Sequence, residues 1–81
     1  MTTEELSSKL KKMYNEAEIG EQVSMIHMFG IKYALEIEES GAAKKDIAIE
    51  AEIGESYGTE INKGVKLSRY VQIKDEHKNR F

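Results

Sequence analysis

Apolar residues return every three or four positions along most of this chain, and no proline interrupts them. That spacing belongs to helices that bury one face, and without proline no amide donor is missing from any of them. Leu6, Leu10, Met13 and Ala17 make the first such stripe and predict a helix over 3–17. Thr2 and Glu5 stand at capping-box spacing at its start, where hydroxyl and carboxylate can each satisfy an orphan amide. Gly20 marks a break. A second, longer helix is expected over 21–39, striped by Val23, Ile26, Gly30, Tyr33 or Ala34, and Ile37, and widened by Met25, Met28, Phe29, Ile31 and Leu35. A helix apolar on most sides belongs in the centre of the domain. Gly30 inside it costs about 1 kcal/mol against alanine, a cost that close approach of another helix offsets.

Gly41 ends that helix, and a third is expected over 43–52, with Ile47, Ala48 and Ala51 turned inward and Ile53 just beyond. Ser56 is a good N-cap for a fourth helix over 57–67, anchored by Ile61 and Val65. Gly64 is either its C-terminal stop or an interior glycine. Residues 69–74 alternate β-branched and polar side chains and read as a short strand. A lone strand needs a partner: a piece near Glu18–Ile19, the tail folded back as a wing, or the same strand of a second subunit. The fold class is thus mostly α, a single domain over 1–81 with four helices and a short C-terminal strand or wing.

Charge divides the chain. Residues 1–61 carry six lysines against thirteen acids, a balance of −7, whereas residues 62–81 carry six cations against two acids, a balance of +4; together these give the net −3. Counterion release depends on the local patch rather than on the total, so an acidic body with a basic end suits nucleic-acid binding; a solvated basic tail is the plainer alternative. The absence of cysteine excludes disulfides and thiolate metal sites and fits a reducing cytoplasm. No apolar run approaches the roughly 20 residues of a membrane span, and the first residues do not read as a signal peptide. Neither His27 nor His77 has a second ligand at a recognisable spacing, and no nucleophile stands beside a histidine. No metal, cofactor or catalysis is expected.

Residues 43–67 carry the grammar of a helix-turn-helix: Ile47 as first apolar contact, Ala48 as the small crossing residue, Ala51 and Ile53 flanking the turn, and Ile61 anchoring the second helix. Two positions depart from it. Glu52 stands where the turn usually has glycine, and Gly58 stands at a site usually apolar. Sliding the register to place Gly54 at the turn would bury Glu50, Glu55 and Glu60, so that register is rejected. On these residues, and on the run from Ser56 to Gly64 followed by Lys66 to Val71, the chain resembles winged helix-turn-helix DNA-binding proteins and small bacterial and phage HTH-like domains. The resemblance implies a transcriptional regulator, with the helix 57–67 as recognition helix on double-stranded DNA. Ser56, Tyr57, Thr59, Glu60 and Asn62 would then stand near base edges, and Lys63, Lys66, Arg69 and Lys74 beside phosphates. The same reading expects a homodimer. Glu52, Glu55 and Glu60 oppose that reading, because carboxylates repel phosphate; the competing assignment is a protein–protein adaptor or inhibitor that uses its acidic face.

Overall fold

The computed structural model describes residues 1–79, and five α-helices account for most of them. Helix α1 (Thr3–Asn15) begins at the expected capping box: the Thr2 amide donates to Glu5 Oε1 at 3.0 Å, and the Glu5 amide donates to Thr2 Oγ1 at 3.1 Å. Its buried side chains are Leu6, Ser7, Leu10 and Met13. Ser7 satisfies its hydroxyl by donating to the Ile47 carbonyl at 3.1 Å, which ties α1 to the start of the helix-turn-helix.

The long second helix expected over 21–39 is two helices, α2 (Gln22–Lys32) and α3 (Ala34–Ser40), hinged at Tyr33. Tyr33 leaves helical geometry at φ −106° and ψ 21°, while its amide still donates to the Phe29 carbonyl and its carbonyl still accepts from Ile37. The chain therefore bends without opening into a loop. The bend follows Gly30, where α2 is pressed against another helix, and it keeps the Tyr33 ring on Phe29, with centroids 5.4 Å apart. Helix α3 buries only Ile37 and stops at Gly41, whose left-handed φ of 70° ends the helix.

Helix α4 (Lys44–Glu50) and helix α5 (Gly58–Leu67) complete the set, with a 3₁₀ turn at Glu55–Tyr57 leading into α5. Ser56 is consequently not the N-cap. That position falls to Tyr57, which makes no side-chain cap, and Ser56 instead accepts on its carbonyl from the Thr59 hydroxyl at 3.3 Å. Helix α2 lies between α1 and α5, and α4 closes the remaining side. Leu6, Leu10, Ile26, Phe29, Ile37, Ile47 and Ile61 are fully buried where these helices meet.

Among the described residues there is no strand, and no wing forms. Residues 71–74 are irregular and have no neighbouring strand to pair with; Ile73 alone turns inward, next to Met28 and Ile31 of α2. A single buried residue between exposed neighbours produces the same period-two pattern as a strand. Residues 75–77 coil into a 3₁₀ turn where a wing would need its second strand. The remainder of the tail, Arg80 and Phe81, lies outside the described residues.

Candidate nucleic-acid interface

The register set by Ile47, Ala48, Ala51, Ile53 and Ile61 holds. Ile47, Ala48, Ala51 and Ile61 are buried, and Ile53 packs against the same core. The two departures from the usual pattern resolve into local geometry. Glu52 adopts the left-handed conformation, φ 64°, that glycine ordinarily supplies at this turn. The Glu52 amide donates to the Ile49 carbonyl at 2.9 Å and the Ile53 amide to the Ala48 carbonyl at 3.2 Å, the paired bonds of a Schellman ending to α4. Its carboxylate reaches Lys11 of α1, and that hydrogen bond holds the Glu52 carboxyl below the usual carboxylate range. Residues 51–54 join α4 to the 3₁₀ turn, with glutamate carrying the left-handed position.

Gly58 answers the second departure. A β-carbon there would lie 2.8 Å from the backbone N and Cα of Lys45, so the first turn of α5 rests directly on the first turn of α4. Two further glycines seat α5 on α2. A β-carbon at Gly64 would meet the His27 carbonyl oxygen at 2.4 Å, and one at Gly30 would meet the Ile61 carbonyl oxygen at 2.6 Å. Gly64 is therefore interior to α5 and not its stop. The close approach inferred at Gly30 is real, and its partner is the proposed recognition helix.

With Gly58, Ile61 and Gly64 against the body, Thr59, Lys63 and Lys66 form the outward ridge of α5. Tyr70 stands just past the helix end, 82% exposed. Glu60 lies to one flank. His27 Nε2 donates to Glu60 Oε1 at 2.7 Å, and Lys63 Nζ donates to Oε2 at 3.0 Å. The bond from His27, and after it the bond from Lys63, holds the Glu60 carboxyl below its ordinary pKa. Asn62 is half-buried on the other flank, and Ser56 is exposed on the 3₁₀ turn. Tyr57 is drawn inward: its ring lies 6.0 Å from that of Tyr14, and its hydrogen bond raises the Tyr14 phenol above the ordinary tyrosine value.

The basic residues do not all gather on this ridge. Lys66 is exposed and makes no ion pair among the described residues, while Lys63 shares its charge with Glu60. Arg69 lines a hollow with Leu35, Glu36 and Glu38 of α3. Lys74 belongs to the irregular segment beside Met28 and Ile31 of α2. In place of these two, the fold brings up Lys45, whose exposed side chain starts beside Gly58 at the head of α5. The signal for Lys45 was Gly58 itself, since a glycine at a normally apolar position marks a backbone in contact. No spacing could have shown the His27–Glu60 bond, which joins residues 33 apart.

Among the described residues no group of three or more histidine or acidic side chains is placed to hold a metal, and no helix is long and apolar enough to cross a membrane. The description "HTH-like domain" matches residues 2–74, nearly the whole chain. The protein belongs to that family of HTH-like domains. No curated protein and no solved structure shows a significant match.

Proposed function

We propose that this protein binds double-stranded DNA through α5 and acts as a transcriptional regulator without catalysing a reaction. The observation that carries this reading is the two-sidedness of α5. One side is locked to the body through Gly58 and Gly64, and the other presents Thr59, Lys63 and Lys66 to solvent on a rigid support. Thr59 and Ser56 offer hydroxyls to base edges, and Lys63, Lys66 and Lys45 offer charge to phosphates. Glu60, the nearest carboxylate, is turned to the flank and engaged by His27 and Lys63. Membership of the family supports a helix-turn-helix use of the fold.

Titration of a labelled duplex at about 50 mM and about 200 mM salt tests the proposal. Binding should fall steeply with salt, and Lys66→Ala should lower the salt slope by about one. Lys63→Ala should cost less, because part of its charge is already spent on Glu60. If the native protein shows no binding at low salt, or if the lysine variants bind unchanged, α5 is not a DNA-reading helix. An adaptor working through its acidic face would give the first of these results.

A further inference from the structure

Helix α3 packs chiefly on its own neighbour α2, and it leaves Leu35 75% exposed. Leu35 stands on the wall of a trough of about 600 Å³ between α3 and the C-terminal end of α5, whose apolar lining includes Ile31, Ala34 and Val65. The two sides of the trough differ in charge. Glu36 and Glu38 line it from α3, Arg69 lines it from beyond α5, and Lys32 stands at the end of α2 between them. Lys44 reaches Glu38 at 3.3 Å, whereas Glu36 and Arg69 make no ion pair among the described residues.

We propose that a second copy of this chain occupies the trough, seating its own Leu35 there and setting its Arg69 against Glu36 and Glu38. A two-fold interface brings one patch against itself, so that patch must contain both the protruding group and its receptor, and charges of both signs. All of these lie here within one surface. A small apolar ligand would leave both charged sides unpaired, whereas a second copy brings a leucine and charges of both signs to the same surface. The interface leaves Thr59, Lys63 and Lys66 outside it, and it stands whether or not the protein binds DNA.

Sedimentation equilibrium without DNA, from about 5 to about 200 μM, tests it. The native chain should dimerise within this range, and Leu35→Asp should leave a monomer. Because Leu35 is exposed, circular dichroism should show that variant folded. Arg69→Glu should weaken the dimer about tenfold or more, and adding Glu36→Arg to it should recover most of the loss by exchanging the two charges across the interface. A native chain that stays monomeric overturns the proposal and leaves the trough to another partner. A dimer that ignores Leu35→Asp, or a charge exchange that recovers nothing, overturns it equally.

Discussion

Helices α1 and α5 flank α2 from two sides and are held to the body by different means. On the α1 side the contact is made of side chains: Leu6, Leu10 and Met13 enter the core with Ile26 and Phe29. On the α5 side it is made largely of backbone, because Gly30 and Gly64 let the two main chains touch. Side chains repack by changing rotamers when a neighbour changes shape, whereas a carbonyl against an α-carbon has nothing to rearrange. The lesson is positional. The helix that only completes the core is held adaptably, and the helix that presents the outward ridge is held with little room to shift.

Changing one side chain on each side is the sharpest way to break this contrast. Gly64→Ala forces a β-carbon into the His27 carbonyl, an overpacking cost of about 3 kcal/mol. The better helix propensity of alanine returns about 1 kcal/mol, leaving a loss of about 2 kcal/mol, or about 10 °C in Tm. Leu10→Met in α1 should cost about 1 kcal/mol or less, because methionine fills irregular space. Equal losses by calorimetry would erase the distinction between the two contacts.

The turn between α4 and α5 gives a smaller effect of opposite sign. Glu52 carries a left-handed backbone that glycine adopts without strain. Glu52→Gly should raise Tm by about 3 °C even though it gives up the exposed pair with Lys11, and an unchanged or lower Tm would show that the pair outweighs the strain. The smallest effect concerns the bond between α2 and α5. The folded pKa of Glu60 lies below the ordinary carboxylate value, so its stabilisation is full above that value and drains away as pH falls through the lowered one. The native chain should therefore lose stability between about pH 5 and pH 3, and Glu60→Gln should lose less of it over the same window. Glu5 and Glu52 are lowered too and share that window, so the difference between the two proteins is the readout.

What could be read from the residues, and what could not, follows from how local each determinant is. The capping box at Thr2–Glu5, the close approach at Gly30 and the motif positions from Ile47 to Ile61 all act through neighbours at helical spacing, and the structure agrees with them. The bend at Tyr33 was hidden because apolar spacing continues smoothly through it. The strand expected at 69–74 rested on alternation that one anchored residue, Ile73, reproduces. Glu52 at the turn hid a left-handed position that composition assigns to glycine. For the candidate site, Thr59, Lys63 and Lys66 stand outward as their helical phase requires. Arg69 and Lys74 depend on the path of the chain after α5, which no periodicity encodes, and they stand elsewhere.

Backbone amide shifts on addition of a short duplex at low salt test the central reading most directly, since they report where the nucleic acid sits. The largest changes should run from Ser56 to Lys66 and reach Lys45 at the head of α4, with α1 undisturbed. No change anywhere, or changes confined to α1 and the acidic side of α3, would contradict it.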